Sequence, residues 1–233
     1  MKLGITGDTH GDLTFKKIYQ ARKLGFTHLI ICGDFGYIWD NSRSENRQLD
    51  YLNKFGVQIL FCDGNHEGFP SLNSYPVIDM YDGKVHKIRE NIYHLMRGEI
   101  YNISNKTFFV FGGANSTDKE YRIEGKTWWK EECPSLKEFN HALENLQRYN
   151  HKVDYIITHT CYPVALSFVG GDYRADNVSD MLNEIRVKTE FRYWYFGHMH
   201  LDYRMIDYNT KCLYRDIDEI ELERGKDDNA VQS

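Results

Sequence analysis

The chain has 233 residues, 41% apolar and 27% charged, with 4 prolines and no Ser-, Gly- or Pro-rich run; this argues for one globular domain over 1–221 and a weakly anchored tail over 222–233. A net charge of −5 and a pI near 6.1 disfavour a broad basic surface for extended duplex nucleic acid, though not a local basic pocket. No apolar run approaches the ~20 residues of a membrane span, the opening "KLGIT" leaves no room for a signal peptide, and five cysteines without CxxC spacing read as reduced thiols, so a cytoplasmic protein is expected.

In chain order, the first third alternates strand and helix. "KLGIT" is followed by a helical pattern over 13–24, then "HLIIC", a second helix over 45–55, and "VQILFC". Right-handed crossovers between such strands build a largely parallel sheet with helices on its faces. From residue 85 the texture changes to closely spaced strands, "VHKI", "IYHL", "EIYNI" and "TFFVFGG", set off by Asn and Gly turns and expected to pair antiparallel. A helix over 135–149, the strand "VDYIIT", a helix over 178–188, the strand "FRYWYFG" and two last strands, "YRMID" and "KCLYRD", complete the pattern. The expected class is α/β (α+β): two sheets packed together with helices outside.

Polar residues collect at the strand ends. "GDTHG" follows the first strand, "GDFG" the second, "GNHEG" the third, "THT" follows "VDYII", and "GHMH" follows "FRYWYF". In open α/β sheets ligands sit outside the carboxyl ends of the strands, so these turns are expected to converge. Together they bring Asp8, His10, Asp34, Asn65, His66, His159, His198 and His200. This oxygen and imidazole set is too large for one tetrahedral zinc and contains no thiolate; it suits two divalent ions such as Mn, Fe, Zn, Ni or Co. Any one such residue alone reads equally well as a helix cap or a solvated turn. His28, His86, His94, His141 and His151 lack this context and read as ordinary surface or core residues.

The ordered set GDxHG, GDxx, GNHE, a lone His and GHxH, running from Gly7 to His200, resembles the calcineurin-like metallophosphoesterases. The resemblance implies a four-layer αββα sandwich of two mixed β-sheets with a dinuclear metal site at the strand C-terminal ends. It further implies one ion held by Asp8, His10, Asp34 and His200, and a second held by Asp34, Asn65, His159 and His198, with Asp34 bridging. His66 corresponds to the general acid that faces the substrate, and Glu67 to a residue supporting its loop. Two dications, Mn foremost, would lower the pKa of a bridging water for in-line attack on phosphorus.

The second motif, "GDFGYIWD", lacks the Arg of the protein phosphatase branch, GDxVDRG. The expected activity is therefore a phosphodiesterase on a nucleotide or nucleic-acid end. Alternatives are a phosphomonoesterase on a small phosphorylated metabolite and an inactive scaffold of the same fold. In "GGANSTDKEYRIEGKTWWKEECPS", Asn115, Lys119 and Arg122 are candidate phosphate contacts, while Trp128 and Trp129 would either stack on a base or pin the loop to the body. Tyr37 and Trp39 pose the same choice as an aromatic rim.

Overall fold

The computed structural model describes residues 1–170, 175–220 and 222. The tail expected over 222–233 thus lies outside the described residues, Leu222 aside. In chain order the elements are β1 (Leu3–Thr6), α1 (Lys16–Lys23), β2 (His28–Ile31), α2 (Arg43–Leu52), β3 (Gln58–Phe61), α3 (Phe69–Leu72), β4 (Val77–Met80), β5 (Gly83–Arg89), β6 (Ile92–Leu95), β7 (Ile100–Ile103) and β8 (Lys106–Phe111). After a loop with two short 3₁₀ turns come α4 (Leu136–Arg148), β9 (Lys152–Thr158), α5 (Pro163–Val169), α6 (Asn177–Lys188), β10 (Glu190–Phe196), β11 (Tyr203–Met205), β12 (Thr210–Cys212) and β13 (Ile217–Ile220).

Local chemistry sets several boundaries. Helix α1 starts at Lys16, later than its apolar pattern suggests, because the Asp12 carboxylate accepts from Thr14 N at 2.9 Å and Phe15 takes a left-handed φ of 51°. Helix α4 starts on a capping box, in which Ser135 accepts from Glu138 N while the Glu138 side chain accepts from the Ser135 backbone. The short segments α3, β4, α5 and β13 carry too little periodicity to be read in advance.

Among the described residues the strands form two mixed sheets. The first runs β13-β1-β2-β3-β6-β5-β4 and the second β11-β12-β10-β9-β8-β7. The parallel series β1, β2, β3 follows the sequence pattern. The antiparallel pairing expected from residue 85 holds within the hairpins β4–β5–β6 and β7–β8 but is not continuous: β6 pairs parallel with β3 and β8 pairs parallel with β9. Chain returns through β4, β5 and α4 supply these registers, and spacing along the chain does not encode them.

Apolar faces explain the layering. Ile5, Ile30, Leu60, Val110, Ile157 and Tyr195 fill the space between the two sheets. Ile18, Ala21, Leu49 and Leu52 of α1 and α2 cover the outer face of the first sheet, and Phe139, Ala142, Leu146, Leu182 and Ile185 of α4 and α6 cover that of the second. Each fully buried aliphatic side chain stabilises the fold by roughly 1.5–3 kcal/mol. The result is an αββα sandwich.

One polar chain is buried within it, and it involves two histidines read from sequence as ordinary. The Asp63 carboxylate, just past β3, accepts from Arg97 Nε at 2.9 Å and from His94 Nε2 at 3.1 Å, and His94 stacks on His86 at 5.2 Å. The Asp63 carbonyl accepts from Gly113 N at 2.9 Å, tying the end of β3 to the end of β8. Burial alone would raise the Asp63 pKa, but Arg97 and His94 outweigh it and hold the carboxyl well below the usual range. A depressed folded pKa contributes stability that is fully present above the unfolded value of about 3.9, declines as pH falls below that value, and is gone only once pH has fallen through the depressed folded value. Asp63→Asn, which removes the buried carboxylate partner of Arg97 and leaves it only Glu138 and backbone carbonyls, is expected to cost about 3 kcal/mol at neutral pH. In urea melts at stepped pH, the gap to wild type should be constant above about pH 4 and narrow progressively below it.

Candidate metal centre

The five polar turns meet at one end of the sandwich, stitched together by backbone. Thr9 N and His10 N both donate to Asp34 O, at 3.0 and 2.9 Å, and Gly197 N donates to His159 O at 2.9 Å. Each central aspartate is aimed by an amide from a distant motif: His66 N donates to Asp34 Oδ1 at 2.8 Å, and His198 N to Asp8 Oδ1 at 2.9 Å. His10, Asp34, His198 and His200 all hold left-handed φ, at 49°, 47°, 66° and 53°. Such conformations cost non-glycine residues energy and mark places where function overrides local preference.

Two motif glycines make these approaches feasible. A β-carbon at Gly64 would lie 2.0 Å from Asp34 Oδ1, and one at Gly197 would lie 2.1 Å from Asp8 Oδ1. Both positions require hydrogen where any other residue carries carbon.

The side chains fall into two adjoining groups of donors. In the first, His10 Nε2 and His200 Nε2 approach within 2.7 Å of each other, and lie 3.5 and 3.1 Å from Asp8 Oδ2. In the second, His159 Nε2 lies 3.1 Å from Asn65 Oδ1, 3.2 Å from His198 Nδ1 and 3.3 Å from Asp34 Oδ1. Asp34 touches both groups, since its Oδ2 is 3.7 Å from His10 Nδ1. The His159 ring is oriented by Nδ1, which donates to Cys32 O at 2.8 Å and so turns Nε2 into the cluster.

The electrostatics call for cations. Asp8 and Asp34 are each 1% exposed and His159 is fully buried, yet Asp8 Oδ2 accepts no hydrogen bond. Burial would push His159 down, but the adjoining Asp34 and Asp8 carboxylates outweigh it and carry the imidazole up to about 10. Burial, reinforced by His159, pushes His198 down to about 4. Two lone-pair nitrogens facing one another beside a buried carboxylate, with a second nest of oxygen and nitrogen donors sharing Asp34, fit two divalent ions.

The remaining candidates divide. His66 stands at the edge of both groups, 5.2 Å from His10 between ring centroids. Arg122 lies against its ring, 3.2 Å from Nε2 and 3.4 Å from Nδ1, and is itself held by Asp118 at 2.8 Å. Burial lowers the His66 pKa, Asp34 opposes this, and Arg122 adds to the lowering. Lys119 turns inward: it donates to Asn115 Oδ1, pairs with Glu132 at 3.2 Å and lies over the Trp128 ring at 5.0 Å. Trp129 is buried and packs on Trp39 at 5.9 Å, which pins the loop to the body. Of the two readings open for Tyr37, packing is the one its burial favours: it is 2% exposed, its hydroxyl donates to Asp12 O, and it forms part of the lining of the groove beside His10. Glu67 supports the second motif, its carboxylate accepting from Phe35 N at 2.7 Å and Gly36 N at 3.3 Å.

Sequence reading missed Tyr214, which stacks on His200 at 4.7 Å and has Lys17 Nζ over its ring at 4.5 Å. No motif flags a tyrosine whose partner lies in a separate turn. Tyr214, Lys16 and Arg215 line a groove of about 560 Å³ that opens onto Asp8 and His10.

The sequence profile of the calcineurin-like phosphoesterases matches residues 1–202. The chain belongs to that family, and it is a metal-dependent, phosphoester-hydrolysing enzyme whose family uses a dinuclear divalent metal site. Among solved structures it is similar to TT1561 of Thermus thermophilus, at 10% identity and a TM-score of 0.53 over 95% of this chain and 99% of that one. It is also similar to a Staphylococcus aureus protein provisionally named a 5'-nucleotidase, solved with alpha-ketoglutarate, at 14% identity and a TM-score of 0.45 over 91% of this chain and 48% of that one. No curated protein matches the chain.

The glycine contacts yield a direct test. Gly64→Ala must displace the Asp34 carboxylate, and Mn²⁺ affinity measured by calorimetric titration is expected to fall on the order of 10–100-fold.

Proposed function

We propose that the protein is a phosphodiesterase acting on a nucleotide or a nucleic-acid end. In this reading Asp8, His10, Asp34 and His200 hold one ion and Asp34, Asn65, His159 and His198 the other, with Mn the first candidate. When bound, such a pair of ions acidifies a water and offsets the negative charge that grows on the phosphoryl oxygens.

The protein's own groups then have distinct tasks. As the new bond from water oxygen to phosphorus forms and the bond to the leaving oxygen breaks, the departing alkoxide needs a proton, and His66 supplies it. The Arg122 guanidinium against the His66 ring destabilises the imidazolium and so makes it a stronger proton donor. Arg122 also offers a planar donor to a phosphoryl oxygen. Lys119 and Asn115 contribute indirectly, by bracing the loop that presents Arg122.

The observation that supports the diester reading is the groove of about 560 Å³, lined by Tyr214 and Arg215, that opens beside His10, while His66 and Arg122 stand at the edge of the donor groups outside that groove. A diester carries a substituent on each side of phosphorus, and an aromatic and cationic groove suits a nucleotide. We further propose a cytoplasmic setting: all five thiols are free, as reducing conditions allow, and no helix among the described residues is long and apolar enough to cross a membrane.

Initial rates on bis(para-nitrophenyl) phosphate and para-nitrophenyl phosphate, measured side by side on metal-stripped protein reconstituted with Mn²⁺, test the reading. The diester is expected to react faster. A faster monoester would make the enzyme a phosphatase with Arg122 as its terminal-phosphate clamp, and inertness toward both in every plausible metal would favour the scaffold. His66→Ala should keep its metal while losing roughly 10²–10⁴-fold in turnover of diesters with alkyl leaving groups, and far less with para-nitrophenolate. Equal turnover of the alkyl diesters by variant and wild type would remove His66 from the acid role.

A further inference from the structure

We propose that Ser116 and Glu132 are positioning residues that orient the Asn65 amide, presenting its oxygen and not its nitrogen to a metal ion. The proposal rests on the dinuclear reading above and concerns residues outside the strand-end motifs.

An asparagine ligand poses a problem that aspartate does not. The two ends of its amide are nearly the same size, but only the oxygen has a lone pair to give a cation, since the NH₂ group is solely a donor. A half-turn about the last side-chain bond would abolish the site without changing its shape. Asn65 is 5% exposed, so bulk water does not decide the matter.

The buried hydrogen bonds do decide it. Asn65 Nδ2 donates to Ser116 Oγ at 3.0 Å, and Ser116 Oγ donates to Glu132 Oε2 at 2.7 Å. A hydroxyl has one proton, and Ser116 directs it to a carboxylate that can only accept. What Ser116 shows to Asn65 is therefore a lone pair. The NH₂ end matches it, the oxygen end would be repelled, and Oδ1 is left 3.1 Å from His159 Nε2 among the other donors.

Glu132 is built to hold this direction. Its side chain is fully buried, and Oε1 accepts from Ser116 N at 2.8 Å and pairs with Lys119 Nζ at 3.2 Å. Its backbone is fixed as well: Glu132 O accepts from Ala114 N at 3.1 Å, and the neighbouring Glu131 O accepts from Arg97 at 2.7 Å. Arg97 also grips Asp63, two residues before Asn65, so one guanidinium sets the spacing between the amide and its orienting carboxylate. Lys119 accordingly serves the carboxylate instead of a phosphate.

Calorimetric titration of the stripped full-length protein with Mn²⁺ alone tests the inference. Wild type should bind two ions. Glu132→Gln, whose amide can donate to Ser116 and release the hydroxyl proton toward Asn65, should weaken one of the two on the order of 10–100-fold and leave the other unchanged. The same substitution in an Asn65→Asp background should have no such effect, because a carboxylate presents oxygen at both ends. Ser116→Ala should weaken the same ion, and Ser116→Thr, which keeps the hydroxyl, should restore it.

Wild-type affinity for both ions in Glu132→Gln would overturn the proposal, as would an equal loss in the Asn65→Asp background. Should Glu132→Gln fail to fold, as judged by circular dichroism, the serine pair decides: Ser116→Ala and Ser116→Thr behaving alike would overturn it. Failure of the wild type to bind two ions would instead overturn the dinuclear reading beneath it, so the two failures are distinguishable.

Discussion

Two carboxylates, Asp8 and Asp34, buried side by side with almost no exposure, are the constraint on which the active end of this protein turns. Water cannot reach them, and in a medium of low dielectric two neighbouring negative charges are tolerated only where cations or donors surround them. The fold meets part of that demand with backbone amides: His66 N serves Asp34 and His198 N serves Asp8. It meets another part with imidazoles: the two carboxylates raise His159 despite its burial, which favours its charged form. What remains is a demand that divalent ions could meet, and the family to which the chain belongs uses two.

Rigidity around that charge requires local strain. Four of the histidine and aspartate donors adopt left-handed backbone, and Gly64 and Gly197 occupy positions where a methyl group would collide with a carboxylate oxygen. The packed interface between the sheets offsets this strain, so the turns stand on a stiff platform. The loop from β8 to α4 extends the same logic to the edge of the donor groups. It sends Arg122 to His66, Lys119 to Glu132 and Ser116 to Asn65, and is itself pinned by Trp129 and by the Arg97 contacts.

Much of this was legible in the residue order. The alternation of β1, α1, β2, α2 and β3 follows from hydrophobic period, and the turns rich in Asp, Asn and His follow from their places after strands. The parallel partners of β6 and β8 were not legible, because pairing across a long return depends on which chain segment arrives beside the edge. The same limit hid the Asp63–His94–His86 chain: each residue alone is ordinary, and the cluster exists only where β3, β5 and β6 lie adjacent.

By itself the sequence determined the chemical inventory: which strand ends carry oxygen and nitrogen donors, in what order, and with which glycines beside them. Those properties are local, set by residue type and by the two- or four-residue periods of strand and helix. Tertiary structure alone decided direction. It turned His159 by a hydrogen bond to Cys32 O, faced the Asn65 amide against Ser116, laid Arg122 on His66 and drew Lys119 away to Glu132. Each of these orientations depends on a hydrogen bond or ion pair between residues far apart in the chain, and such partners meet only once the sheets have packed.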